Sequence, residues 1–118
     1  MQNDIFNWKA NKRMKALGVD EAAKEAFEQE KRAGHTRIGF NFITFTENWL
    51  YYDSGWSSAL FPLRDIVRFE KDYSPMRNGA RFYVNLHFRD GGRHKLPCEF
   101  EQLDEIAAAL NTRLAAFE

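Results

Sequence analysis

The stretch from residue 80 to residue 117 constrains the fold of this chain most strongly. Apolar and polar residues alternate strictly from Arg81 to Arg89, as expected of a half-buried strand. Asp90-Gly91-Gly92 then predicts a turn, and Arg93 to Cys98 predicts a return strand. The chain ends in large apolar residues at spacings of three and four, which predict one amphipathic helix: Phe100, Leu103, Ile106, Leu110, Leu114 and Phe117.

The register of this hairpin can be predicted from its apolar residues. A three-residue turn would pair Phe88 with His94 and Leu86 with Leu96, so that the apolar side chains meet on one face. A slip of one residue would turn one whole strand over, so the apolar pattern favours this register. Gly92 is then predicted to occupy the left-handed position of a bulged three-residue loop.

Two helices are predicted before the sheet. Residues 4–17 read as a helix whose apolar members scatter around the helical wheel. Gly18 is a natural helix stop, and Asp20 is a natural N-cap for a second helix over residues 20–33. The apolar face of this second helix is mostly alanine, which buries little area, and Gly34 ends it.

Residues 35–98 carry period-two patterns that predict an antiparallel sheet. Strands are expected over residues 40–46, 49–52, 56–61 and 66–71, before the hairpin described above. Ser, Pro, Asn and Gly residues predict that the segment from Tyr73 to Ala80 is a loop.

Composition restricts the class of protein. The 118 residues suit one domain, and 44% hydrophobic residues with 11 Phe can form a core without disulfides or metals. Lys plus Arg and Asp plus Glu both number 17, so the zero net charge argues against a dedicated nucleic-acid binder. The single Cys98, the absence of a signal-like N-terminus and the lack of a long apolar run predict a cytoplasmic protein.

These patterns predict an α+β fold with N-terminal helices, an antiparallel, strongly bent sheet and a C-terminal capping helix. We expect one structural domain overall, in which residues 1–34 form a helical segment and residues 35–118 form the sheet with its terminal helix. Whether residues 1–34 pack on the sheet or act as an appendage stays open at this point.

The strand region resembles bacterial pleckstrin-homology-like domains. The resemblance is carried by residues 43–52, by Phe61-Pro62-Leu63-Arg64-Asp65-Ile66-Val67, by Phe88-Arg89-Asp90-Gly91-Gly92 and by the helix that follows. It implies a half-barrel and a binding or scaffold role. The full fold has seven strands and the patterns predict about six, so either a first strand lies near residues 35–39 or the N-terminal helices replace it. The early loops 46–48 and 53–55 are acidic here, unlike those of phosphoinositide-binding members.

Two groups of residues are candidates for binding. The first is a basic strip on one face of the hairpin, whose alternative reading is a solvated face balanced by Glu70 and Asp72: Arg81, Tyr83, His87, Arg89, Arg93 and Lys95. The second is an aromatic group over residues 49–56, in which Tyr52 and Trp56 are predicted to be exposed anchors, the alternative being ordinary strand packing.

Other chemistries find little support in the sequence. No nucleophile, phosphate-loop or dinucleotide motif occurs, so we expect no enzymatic activity and no cofactor. His94 and Cys98 share a strand face but lie roughly 13 Å apart, too far to share a metal ion. At most, the basic N-terminal helix with Trp8 would rest peripherally on an anionic membrane.

The sequence therefore predicts a non-enzymatic module that recognises a protein or peptide. A leftover edge strand would also allow a homodimer. Two alternatives remain: a binder of anionic ligands, either lipid head groups or RNA, that uses the basic strip, and a small inhibitor or immunity-type protein.

Overall fold

The structure, a computed structural model, describes residues 4–39, 42–55, 57–76 and 79–117. It is α+β, with two N-terminal helices, two antiparallel sheets and a C-terminal helix. The chain forms two compact units, one ending at Asp65 and the other beginning at Ile66. Each unit contains one of the sheets.

The first unit holds helices α1 (Asp4–Ala16) and α2 (Glu21–Ala33), followed by a four-stranded sheet of order β1-β2-β3-β4. Its strands are β1 (Thr36–Ile38), β2 (Ile43–Phe45), β3 (Trp49–Asp53) and β4 (Ser58–Pro62). The predicted helix boundaries are confirmed to within a residue or two. Gly18 has a φ of 76°, and the Asp20 side chain accepts the Ala23 N–H as an N-cap.

The strands of the first unit differ in detail from the prediction. A strand does lie within residues 35–39, because Gly39 (φ 57°) turns the chain and the Phe42 N–H bonds the Gly39 carbonyl. The strand predicted over residues 40–46 is consequently shorter, although Phe40 and Asn41 fall outside the described residues. The tight turn before Trp49 is confirmed by a bond from the Thr46 N–H to the Trp49 carbonyl.

Helix α1 packs on β4 through an unusual set of residues. Among its side chains from Asn7 onward, which the structure describes, those of Asn7, Ala10 and Met14 are buried at spacings of three and four, while that of Trp8 is 58% exposed. The helix looked poorly amphipathic because its buried stripe contains an asparagine and an alanine. The Leu60 N–H, at the outer edge of β4, donates to the Met14 sulfur at 3.3 Å.

The second unit consists of β5 (Ile66–Met76), β6 (Gly79–Phe88), β7 (Arg93–Cys98) and α3 (Leu103–Ala115). The sheet order is β5-β6-β7, and α3 packs against β5 and β6. The predicted helical stripe is confirmed at its centre, where Leu103, Ile106 and Leu110 are buried. Its ends are not buried, because Phe100 belongs to a separate 3-10 turn, Phe100–Gln102, and Phe117 lies past the helix end.

The loop predicted from Tyr73 to Ala80 is wrong for residues 73–76, 79 and 80, which lie on strands, and residues 77–78 fall outside the described part of the chain. β5 continues to Met76 and β6 begins at Gly79, so the two strands form a long hairpin. Pro75 favoured the prediction of a loop because proline has no backbone N–H to donate to a neighbouring strand. β5 is an edge strand that pairs with β6 alone, and an edge position tolerates proline because one side of the strand needs no donor.

The register predicted for the β6–β7 hairpin is wrong by two residues. The structure pairs Leu86 with His94 and Val84 with Leu96, and the turn residue with positive φ is Gly91 (89°), not Gly92. The Phe88 N–H bonds the Gly92 carbonyl, so the loop still has three residues. A shift of two preserves the side of every side chain, so the apolar face is as predicted.

Candidate functional site

Tyr52, predicted to be an exposed anchor, is buried. It lies on β3, where residues alternate between half-buried and buried, and its relative exposure is 0%. Its hydroxyl shares a hydrogen bond of 2.8 Å with the Ser57 hydroxyl, which donates to the Asn7 side chain at 2.8 Å. Tyr52 therefore belongs to a buried polar network, and the prediction that it is an exposed anchor is wrong. Trp56, the other predicted anchor, lies outside the described residues.

Burial raises the pKa of Tyr52 to about 12. The hydrogen bond with Ser57 opposes this increase, and the negative charge of Asp53 adds to it. Below the ordinary pKa of 10 the Tyr52 hydroxyl is protonated in both the folded and the unfolded state, so its contribution to the stability of the folded state is complete. As the pH rises from 10 toward 12 the unfolded state loses the proton first, and the free energy of unfolding falls. We expect Tyr52→Phe to cost about 1 kcal/mol at pH 7 and to flatten the loss of stability above pH 10. Urea unfolding measured across this range tests it.

The exposed Tyr73 provides the matched control for that experiment. Tyr73→Phe makes the same substitution at a side chain of the second unit that is largely exposed. It should leave the alkaline loss of stability as steep as in the wild type. An equal flattening in both variants would contradict the assignment to Tyr52.

The basic strip lies on one face of the β5–β6–β7 sheet, which we call the polar face. Cross-strand pairs place Arg68, His87 and Arg93 in one row. Glu70, Asn85 and Lys95 form the next row, followed by Asp72 and Tyr83. The side chain of Arg81 lies outside the described part of the chain, although its backbone pairs with Ser74. The face thus interleaves cations with two carboxylates.

Glu70 offsets the positive charges in the first two rows. Its carboxylate lies 3.1 Å from His87 Nε2 and 3.6 Å from the Arg68 guanidinium. The hydrogen bond with His87, together with the charges of His87 and Arg68, lowers the pKa of Glu70 against an opposing effect of desolvation. His87 is therefore directed at a carboxylate of its own sheet.

Two further pairs on the polar face are also internal to the sheet. Asn85 Nδ2 donates to Asp72 at 3.0 Å, and this bond and the Tyr73 N–H lower the pKa of Asp72. The Lys95 ammonium lies 5.1 Å from the centre of the Tyr83 ring, a cation–π contact that covers the ring predicted to stack on a ligand. Arg89 is exposed in the hairpin loop rather than on a strand. The geometry matches a solvated, charge-balanced face better than a phosphate-binding strip.

An aromatic cluster that the sequence patterns missed lies on the opposite face of the same sheet. The centres of the Tyr73 and Phe82 rings lie 6.4 Å apart, and those of the Phe82 and Phe100 rings lie 5.3 Å apart. Tyr73 is 61% exposed and Phe100 is 65% exposed. We call these three residues the aromatic patch. The sequence patterns predict Tyr73 in a loop and Phe100 in the buried stripe of the terminal helix, so they do not indicate that the two side chains share a cluster.

The described residues show no cluster of three His, Cys, Asp or Glu side chains that could hold a metal ion. Cys98 is half-buried, and burial followed by the nearby Glu99 charge raises the pKa of its thiol to about 11. The thiol is therefore protonated at neutral pH, unlike that of an activated nucleophile.

Within the described part of the chain, no helix is long and apolar enough to cross a membrane. No protein-family model matches the chain, and no curated protein matches its sequence. The candidate site therefore rests on the geometry of the two units.

Proposed function

We propose that this protein is a non-enzymatic binding module that recognises a protein or peptide through the aromatic patch. The observation that carries the proposal is the exposure of Tyr73 and Phe100 beside Phe82. Exposed aromatic side chains that touch one another are typical of the residues that dominate interface energies. In the described residues, the other large aromatic exposed to a similar degree is Trp8, which lies in the first unit.

The sheet edges favour recognition through side chains over strand pairing. Val67 interrupts the pairing of β5 with β6 as a bulge, and the Tyr73 N–H donates to the Asp72 carboxylate at 2.8 Å. β7 contains Pro97, which has no N–H to offer to an added strand. Bulges, prolines and charges are common protections of edge strands. A homodimer formed through the second unit would then use the aromatic patch and not the β5 or β7 edge.

The order of elements supports the further proposal that the chain is a pleckstrin-homology-like domain. The described residues contain a four-stranded and a three-stranded antiparallel sheet, followed by a helix. This matches the seven strands and terminal helix that the resemblance implies. The same proposal places the protein in the bacterial cytoplasm, consistent with one unpaired cysteine.

Affinity capture with the tagged protein, from a nuclease-treated lysate of the cells that express it naturally, tests the aromatic patch. We expect wild type to retain a stoichiometric protein partner, and Tyr73→Ala/Phe100→Ser to weaken its binding at least about tenfold. Trp8→Ser removes an equally exposed aromatic residue from the first unit and should not change the affinity. Circular dichroism of each variant checks that it is folded.

Two results would contradict the proposal. Equal retention of the partner by wild type and by the Tyr73→Ala/Phe100→Ser variant would show that the patch is not the contact surface. Retention of nucleic acid or lipid alone, lost at moderate salt, would favour an anionic ligand on the polar face instead.

A further inference from the structure

The turn between β2 and β3 holds a carboxylate that comes from α2. Glu30 Oε1 accepts the Thr46 hydroxyl at 2.8 Å and the Asn48 backbone N–H at 2.9 Å. Glu30 Oε2 accepts the Asn48 side-chain amide at 2.9 Å. The Trp49 side chain also forms a hydrogen bond to the carboxylate. Four neutral donors from three residues of one turn region thus converge on a single anion.

The electrostatics favour the ionised form of Glu30. Partial burial alone would raise the pKa of its carboxyl group. The hydrogen bonds from Asn48, Thr46 and Trp49 outweigh that effect and lower the pKa. Donors aimed at a carboxylate favour its charged form, which is what a carboxylate-binding site requires.

The turn is held in place by bonds that do not involve α2. The Thr46 N–H bonds the Trp49 carbonyl at 3.0 Å, and the Leu63 N–H bonds the Asn48 carbonyl at 2.9 Å. These two bonds fix the backbone of the turn, so the Asn48 N–H would keep its position if Glu30 withdrew.

Helix α2, in contrast, is attached through few contacts. All of its residues are described, and Phe27 is the one among them that is buried. The Phe27 ring lies 5.5 Å from the Tyr51 ring on β3. The remaining face of α2 is mostly alanine, and Gly18 and Gly34 flank the helix. A helix of 13 residues is marginal in water by itself, so α2 depends on these two attachments.

From these contacts we propose that Tyr51 and the turn Thr46–Trp49 form a docking site for a helical peptide of a partner protein. The partner helix would present an aromatic residue to Tyr51 and, three residues later, a glutamate to the turn. Phe27 and Glu30 have this spacing, which places them on one face of α2. In the isolated chain α2 fills the site, and a partner helix must compete with it. This inference does not depend on the aromatic patch of the second unit.

Competition with α2 sets the affinity that such a partner shows. An attached segment has a high effective concentration at its site, so the free chain should bind a partner helix weakly. The apparent dissociation constant is the intrinsic one divided by the fraction of molecules whose site is open. Emptying the site by mutation should therefore strengthen binding, which is the opposite of what substitution in a simple interface does.

The experiment uses the full chain with Phe27→Ala/Glu30→Ala and a labelled synthetic peptide copying residues 19–34. Fluorescence anisotropy should show that the peptide binds this variant at least about tenfold more tightly than it binds wild type. A peptide with Glu30→Ala should bind the variant at least about tenfold more weakly than the unaltered peptide. A peptide with Glu25→Ala, which changes an exposed residue of the same charge, is the matched control and should bind unchanged.

Several outcomes would overturn the proposal. These are no peptide binding by a folded variant, equal binding of the Glu30→Ala and unaltered peptides, or equal loss with the Glu25→Ala peptide. If the variant does not fold, hydrogen exchange in wild type replaces it. Millimolar peptide should then accelerate exchange of the α2 amides and leave those of α1 unchanged, and an unchanged α2 would overturn the inference.

Discussion

Replacing Leu110 with aspartate should unfold the second unit. Leu110 lies in the middle of α3 with no exposed surface, and the helix packs on β5 and β6. A carboxylate at this position has no room for water and must be buried without a partner or neutralised. We expect a loss of about 4 kcal/mol or more, a large part of the 5–15 kcal/mol that holds a typical domain folded. Urea unfolding followed by circular dichroism measures it.

The neighbouring residue provides a control for this prediction. Asn111→Asp introduces the same carboxylate one position along the helix, where the side chain is exposed. It should change the free energy of unfolding by no more than about 0.5 kcal/mol. A soluble Leu110→Asp variant that unfolds at the same urea concentration as Asn111→Asp would contradict the packing of α3.

The alternation of apolar and polar residues predicted the face of each side chain more reliably than the register of the hairpin. Alternation along β6 correctly placed Val84, Leu86 and Phe88 on the buried face. Alternation alone cannot distinguish two hairpin registers that differ by two residues, because both put the same side chains on each face. The observed register is the one in which Gly91, and not Gly92, has the positive φ. Adjacent glycines have the same intrinsic freedom, so the sequence offered no way to choose.

The predicted exposure of Tyr52 and the predicted burial of Phe100 failed for a related reason. Tyr52 lies on a strand, and local patterns do not say which face of a sheet is covered. Tyr52 can be buried because its hydroxyl forms a hydrogen bond with that of Ser57, five residues along the chain. The Ser57 hydroxyl in turn donates to the Asn7 side chain. Phe100 has the spacing of a core residue but is exposed because α3 begins three residues later.

Replacing Asn7 with leucine should destabilise the first unit strongly, although leucine is similar in size and apolar. The Asn7 side chain is buried and acts as a strand neighbour for the end of β4. Its Oδ1 accepts the Ser58 N–H at 2.9 Å, and its Nδ2 donates to the Ser58 carbonyl at 3.0 Å. Leucine would leave both backbone groups unsatisfied. We expect a loss of about 3 kcal/mol or more in thermal or urea unfolding.

The same substitution one turn later separates this effect from a change in helix propensity. Asn11 is half-buried and accepts a bond from Asn7 at 3.0 Å. Asn11→Leu should cost about 1 kcal/mol or less, since it leaves the bonds to Ser58 intact. Equal costs for the two variants would show that the Ser58 bonds are not what anchors α1.

The Asn7 variant should also aggregate more readily than wild type. In wild type, the Asn7 amide and the Met14 sulfur bond outward-facing backbone groups of Ser58 and Leu60 on β4. An edge strand whose backbone groups lose their partners becomes a template for pairing with another chain. Light scattering at equal concentration and temperature should rise for Asn7→Leu and not for Asn11→Leu. This difference would show that α1 protects the sheet as well as stabilising it.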